Sequence, residues 1–129
     1  MHRTVRYAGV LMIAIGFVLS ANHSFAQTDY KQQYTIAKKL YTEGKYNLAM
    51  ESFKKLIPYD QNNPYREYAS FYYALSAYNQ NFKAVAKDML GQIKSLYPSW
   101  DKMDEVNIWL AKIHFDNKDY FQGMKLLGE

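Results

Sequence analysis

Histidine is the first side chain to consider, because few other residues of this chain could do catalytic or metal-binding chemistry. His114 is the only histidine after the first 26 residues, and the sequence contains no cysteine. A nucleophile–base pair or a transition-metal site would need a second histidine or a thiolate beside it. We therefore expect His114 to be a partly buried structural residue. We predict no catalytic residue, no metal site and no cofactor.

The remaining candidates for chemistry are carboxylates. The run DNKD at residues 116–119 carries oxygen ligands, but Lys118 stands where a calcium loop needs another oxygen. A solvated turn is the better interpretation. No glycine-rich phosphate loop is present. Other acidic residues lie at predicted helix starts and solvent faces, where they favour the helix dipole: Glu43, Glu51, Asp104 and Glu105. We predict that the protein is not an enzyme.

The first 26 residues have the layout of a secretory signal peptide. Arg3 and Arg6 precede an apolar run over residues 8–19, and the small residue Ala26 stands directly before Gln27. An apolar run below ~17 residues is short for a membrane-spanning helix. We predict a signal-peptide helix over residues 1–26, cleavage before Gln27, and export to the periplasm or cell envelope without stable membrane insertion. The alternative is an uncleaved N-terminal anchor.

The amino-acid composition limits the covalent attachments and the classes of partner that the exported part could have. Without cysteine the exported part has neither a disulfide framework nor a thiol that could carry a lipid at the cleavage site. The chain has 16 basic and 12 acidic residues; without Arg3 and Arg6 the basic residues number 14, which gives about +2 for residues 27–129. The lysines are scattered, with no basic run longer than two. Nucleic acid is therefore not a predicted partner.

The elements that hold these residues are predicted to be helices in pairs. Ala37 and Leu40 share one face of a 3.6-period pattern, and Ala49 and Phe53 share a face of a second pattern. Gly44 ends the first helix, because glycine adopts the left-handed backbone at low cost. The join is so short that the two helices must be antiparallel neighbours.

The same arrangement recurs at a spacing of about 37 residues. Asn79-Gln80-Asn81 replaces the corner glycine in the second copy, where asparagine tolerates the same backbone, and Lys118 stands there in the third. The matching positions are Ala37, Tyr41, Ala49 and Phe53 in the first copy, Ala74, Tyr78, Ala86 and Leu90 in the second, and Ala111, Phe115, Gly123 and Leu127 in the third. A fixed period of helix pairs indicates an α-solenoid.

Gly44, Tyr46, Ala49 and Phe53, with Ala37 before them and Leu56 after, resemble the consensus of the tetratricopeptide repeat (TPR) family. The resemblance covers residues 30–129 as units of about 30–66, 67–103 and 104–129, the last incomplete, and its period exceeds the family's usual ~34 residues. In style the units are similar to the periplasmic envelope-assembly members. The resemblance implies an all-α solenoid of about three helix-turn-helix repeats over residues 27–129. It also implies a non-enzymatic scaffold for protein–protein interaction in the bacterial cell envelope, including outer-membrane assembly. The alternative is a set of N-terminal adaptor or spacer repeats of a larger periplasmic receptor or enzyme.

The resemblance further implies a concave face that binds a protein or peptide. Aromatic residues with lysines at both ends suit a peptide with apolar anchors and some acidic character. The alternative is that several of these aromatics pack between units. The implied residues are Lys31, Tyr34, Lys38, Tyr41 and Thr42 of the first unit, Tyr68, Phe71, Leu75, Tyr78 and Asn79 of the second, and Glu105, Ile108, Lys112, Phe115 and Asp116 of the third.

The third unit stops within its second predicted helix. A solenoid needs a polar capping helix, since its last repeat otherwise leaves an apolar face in water. We expect Met124, Leu126 and Leu127 to be partly uncovered. Either the chain continues in a longer protein, or this face pairs with a partner or with a second copy by self-association.

Overall fold

The computed structural model describes residues 29–128, and every regular element in that range is a helix. The all-α prediction is confirmed for these residues, whereas the predicted signal peptide lies outside them. None of the described helices is long and apolar enough to cross a membrane. The helices are α1 over residues 29–42, α2 Tyr46–Lys54, α3 Arg66–Asn79, α4 Lys83–Leu96, α5 Met103–Asp116 and α6 Tyr120–Leu127.

Each helix packs on the next one along the chain, so that α1/α2, α3/α4 and α5/α6 are helical hairpins. One cluster of buried residues lies where α1, α2 and α3 meet, and a larger one lies where α3, α4 and α5 meet. Tyr41 and Tyr72 pack against both clusters and join them. This packing of successive hairpins is consistent with an α-solenoid.

The turns inside the hairpins are built alike. Gly44, Asn81 and Lys118 have φ values of 74°, 65° and 62°, the left-handed backbone. In each turn the N–H of the following residue donates at 2.9 Å to the carbonyl oxygen five residues earlier, which satisfies an end group of the first helix. The predicted backbone of Gly44 is confirmed, and Asn81 is the asparagine that reproduces it in the second hairpin.

Contacts between successive hairpins also recur. The rings of Tyr41 and Tyr72 meet edge to face with centroids 5.2 Å apart and planes at 66°. The rings of Tyr78 and Trp109, each 37 residues further on, meet at 5.2 Å and 68°. The same pairwise contact therefore joins α1 to α3 and α3 to α5.

The segment between α2 and α3 is ordered by side-chain hydrogen bonds to the backbone. Asn63 is buried; its Nδ2 donates to the Leu56 carbonyl at 2.8 Å and its Oδ1 accepts from the Tyr65 N–H at 2.9 Å. Arg66 Nε donates to the Ile57 carbonyl at 3.2 Å. These bonds pair polar groups that the long linker would otherwise bury alone.

Candidate protein-binding surface

His114 lies at the end of α5 with its side chain mostly buried. Its Nδ1 is 3.0 Å from Oδ2 of Asp119, which precedes α6. The same Asp119 accepts a hydrogen bond from the Gln122 N–H at 3.4 Å through Oδ1. The pair thus ties the third turn to the start of α6, which matches the structural role expected for His114.

The run at residues 116–119 does not converge on one point. Asp116 contacts Tyr78 and Lys83 of the preceding hairpin, whereas Asp119 caps α6 and contacts His114. Within residues 29–128 no group of three histidine, aspartate or glutamate side chains is placed to hold a metal ion.

Phe71 and Leu75, two residues of the predicted concave face, lie in the core instead. Both are buried in the cluster where α3, α4 and α5 meet, and the ring of Trp100 covers Phe71 at 5.8 Å. The prediction needs correction at these two positions, because α3 is flanked by helices on both sides and has less free surface than α1 or α5.

Tyr34 and Tyr41 occupy the space between the first two hairpins. The ring of Tyr34 stacks on that of Tyr65 at 4.7 Å, and Tyr41 contacts Tyr72. Burial raises the pKa of Tyr34 to about 12 and also raises the pKa of Tyr41. These tyrosines are therefore chiefly packing residues, as the alternative interpretation of the aromatics had it.

The rest of the predicted face is open to solvent in part or in full. Tyr68 and Phe115 are half-buried, and Tyr68 contacts Trp100 at 5.2 Å. Phe115 packs over Gly123 within its own hairpin. The exposed residues of the set are Lys31, Thr42, Asn79, Glu105, Ile108, Lys112 and Asp116.

Lysines from α1 and α5 both reach aromatic rings of α3. The ammonium of Lys38 lies 3.5 Å from the centroid of the Tyr72 ring, and that of Lys112 lies 5.6 Å from the Tyr78 ring. Lys83 approaches the same Tyr78 ring at 5.7 Å. We call these five residues the lysine–tyrosine surface. The attraction between an ammonium group and a ring face is modest. It positions the lysine side chain while the N–H donors of the ammonium can still bind another group.

One carboxylate is already engaged at this surface. Asp116 Oδ2 accepts from the Tyr78 hydroxyl at 2.5 Å and lies 3.1 Å from Lys83 Nζ. The hydrogen bond from Tyr78 and the Lys83 charge hold the pKa of Asp116 below its usual value. Burial together with Asp116 raises the pKa of Tyr78 to about 12.

The three lysines of the predicted face differ from Lys83, because none of them is paired with a carboxylate in the described part of the chain. Among the described residues no carboxylate lies within ion-pair distance of Lys31, Lys38 or Lys112. Glu105, the other acid of the set, pairs with Lys102 at 3.1 Å. The three lysines are thus available to an acidic ligand.

Tyr72 and Lys83 were not among the residues predicted for this face. The alignment of the chain at a spacing of 37 residues could have identified Lys83. Lys83 stands where Tyr46 stands in the first hairpin, and Tyr46 contacts Tyr41 at 5.5 Å. The counterpart of Tyr41 is Tyr78, so the alignment places Lys83 beside Tyr78. Tyr72 carries no such local signal, because its partners Lys38 and Tyr41 come from another hairpin.

Comparison of the chain with protein-family models, with curated proteins and with solved structures finds no match. The contacts and exposures described above are therefore the grounds for a functional proposal.

Proposed function

We propose that residues 27–129 form a solenoid of about three TPR-type repeats that acts as an exported, non-enzymatic scaffold for protein–protein interaction in the bacterial cell envelope. The observation that supports it most is the recurrence, at 37 residues, of the left-handed turn residue and of the ring pair between hairpins. Stacked hairpins of this kind present an extended surface to a partner.

The partner we propose is a protein segment with acidic residues and at least one apolar anchor. Lys31, Lys38 and Lys112 have no ion-pair partner among the described residues, so that carboxylates would meet unpaired cations. Exposed Ile108, four residues before Lys112 on α5, and half-buried Tyr68, whose ring lies 6.4 Å from that of Tyr34, offer apolar contact. Charge complementarity of this type accelerates association and sets specificity more than it adds affinity.

The proposal is tested by capturing partners from envelope extract with two double variants. One variant reverses lysine charges on the proposed surface, and the other reverses lysine charges elsewhere. We expect Lys31→Glu/Lys112→Glu to abolish capture of proteins that the unchanged chain retains, and we expect that retention to weaken with added salt. Lys54→Glu/Lys87→Glu is the matched control, with two exposed lysines of α2 and α4. Equal capture by both double variants would contradict the proposed surface.

Export is tested independently by the N-terminal sequence of the protein recovered from cells. We expect a start at Gln27, because a short apolar run and a small residue precede it. A start at residue 1 in membrane-associated protein would support the uncleaved anchor.

A further inference from the structure

The face of α6 that points away from α4 is apolar, and no described element covers it. Leu127 is 51% exposed, whereas its counterparts one and two hairpins earlier, Leu90 and Phe53, are 1% and 0% exposed. Met124 and Ile108 are exposed as well. Leu127 is thus exposed because none of the described helices lies opposite it, and not because the residue type has changed.

In the two preceding hairpins the neighbour is the first helix of the next hairpin. Phe53 of α2 stacks on Tyr72 of α3 at 5.6 Å. Leu90 of α4 lies in the buried cluster with Val106 and Leu110 of α5. The exposed apolar side of α5 and α6 therefore corresponds to a surface that, in each of the two earlier hairpins, the first helix of the next hairpin covers.

A groove of about 350 Å³ lies on this face between the first half of α5 and the end of α6. The side chain of Asn107 is only 9% exposed, and its Oδ1 is buried without a hydrogen-bond donor. The lining residues are Asp104, Asn107, Ile108, Leu126 and Leu127, which together with Met124 we call the end face.

Aromatic residues occupy the matching place in the other two hairpins. Ile108 corresponds to Tyr34 and to Phe71. Tyr34 stacks on Tyr65, which stands immediately before α3, and Phe71 contacts Trp100 in the linker before α5. In both cases the second ring, that of Tyr65 or of Trp100, belongs to the residues just before the first helix of the next hairpin.

The opposite end of the stack is mostly polar. Ile36, the counterpart of Tyr73 and Leu110, is an exposed apolar residue of α1. Three other positions of the outer side of α1 carry exposed polar residues where α3 and α5 carry buried or half-buried ones. Gln32, Thr35 and Lys39 stand where Ala69, Tyr72 and Ser76, and then Val106, Trp109 and Ile113, stand in the later hairpins. A second copy stacked head to tail would therefore bury polar α1 groups against Leu127, which is unfavourable.

We propose that the end face docks an amphipathic helix of a partner protein, led by a tryptophan or tyrosine, in the position that α3 and α5 take on α2 and α4. Both side chains supply a ring of the kind that Tyr65 and Trp100 place against Tyr34 and Phe71. Exposed Asp104 adds negative charge where the positive N-terminal end of that helix would lie. Of the residues that the proposed scaffold function uses, only Ile108 also belongs to the end face. Leu127→Lys leaves Ile108 and the three lysines unchanged, so either proposal can fail alone.

The test supplies such a helix from the chain's own sequence. A copy of residues 93–116, which comprises the end of α4, the linker with Trp100 and α5 with Trp109, is appended after Glu129. This keeps the spacing from Leu127 equal to that from Leu90. We expect the melting temperature to rise by about 5–10 °C. The rise should disappear with Leu127→Lys and shrink when the appended copy of Trp100 is changed to alanine.

Ile36→Lys is the matched control, because Ile36 is also 51% exposed but lies on α1. It should leave the rise intact. No rise, or a rise that Leu127→Lys retains, overturns the proposal. Sedimentation of the unextended chain gives a further decision: a dimer that Leu127→Lys dissociates would assign the face to a second copy. A clear loss of stability in monomeric Leu127→Lys would mean that the chain covers the face itself, and would also overturn the proposal.

Discussion

Single residues explain why the three hairpins are not identical. Gly123 takes the place of Ala49 and Ala86, and all three positions are buried. A Cβ at position 123 would overlap the ring of Phe115, which packs against α6 there. At this position the third hairpin uses a glycine because its aromatic ring lies directly on the backbone.

We expect Gly123→Ala to lower the free energy of unfolding by about 1–3 kcal/mol, because the Phe115 ring must leave its position. Gly91→Ala is the control, since its Cβ would meet nothing within 4 Å in the described chain. In the middle of α4, that change should raise stability by about 0.5–1 kcal/mol through helix propensity. Urea unfolding followed by circular dichroism measures both, and equal effects would contradict the role of the ring.

At the scale of elements, the turns rather than capping side chains define the helix ends. In helices α2, α3, α4 and α5 the side chain of the N-cap residue accepts no hydrogen bond from the backbone. Among the helices with a described start, only α6 has such a bond, which Asp119 accepts from the Gln122 N–H. Gly44, Asn81 and Lys118 instead reverse the chain through the left-handed backbone. For a lysine this conformation costs energy that glycine avoids.

Lys118→Gly should therefore raise the unfolding free energy by about 1 kcal/mol, and Gly44→Ala should lower it by a similar amount. Lys87→Gly is the control for loss of a lysine, and in the interior of α4 it should lower stability by about 1 kcal/mol. Thermal and urea unfolding provide the measurement. A loss of stability in Lys118→Gly would show that the lysine side chain matters more than its backbone.

At the scale of the whole molecule, the second and third hairpins are joined by an ionic hydrogen bond as well as by ring packing. The Tyr78 hydroxyl donates to Asp116, and Lys83 approaches the same carboxylate. The folded chain thereby holds the pKa of Asp116 low and that of Tyr78 high, at about 12. The contact requires an ionised carboxyl and a neutral phenol, so each extreme of pH removes it.

The Asp116 contribution should be fully present above the ordinary aspartate pKa of about 4 and be lost as the pH falls through the lowered value. The Tyr78 contribution should be present below a pH of about 10 and be lost as the pH rises through the raised pKa. We expect Asp116→Asn to flatten the acid side of the urea midpoint plotted against pH. Asp116→Asn should also lower the pKa of Tyr78. That pKa is measured from the part of the tyrosinate absorbance that Tyr78→Phe removes.

Asp88→Asn is the control for that experiment, because Asp88 is exposed on α4 and none of the described residues forms a hydrogen bond with it. Its acid profile should follow that of the unchanged chain. An Asp116→Asn profile that also follows it would show that the contact between hairpins contributes nothing to stability.

The candidate surface was predictable only where the relevant signal is local. Lys31, Lys38 and Lys112 were named from the resemblance to TPR repeats, and the structure leaves them without carboxylate partners in the described range. Phe71 and Leu75 were misplaced because their exposure depends on helices far away in sequence. An exposed and a buried apolar residue look alike within a single helical period.

Sequence alone determined the helical class, the hairpin turns and the spacing of 37 residues, because helix periodicity and the left-handed turn depend on residues a few positions apart. Tertiary structure alone decided which aromatic rings pack between hairpins and which lysines have no ion-pair partner among the described residues. It also decided that Leu127 is exposed where Leu90 is buried. These outcomes depend on which helix lies opposite each side chain, and that neighbour is set by packing between hairpins and not by local sequence.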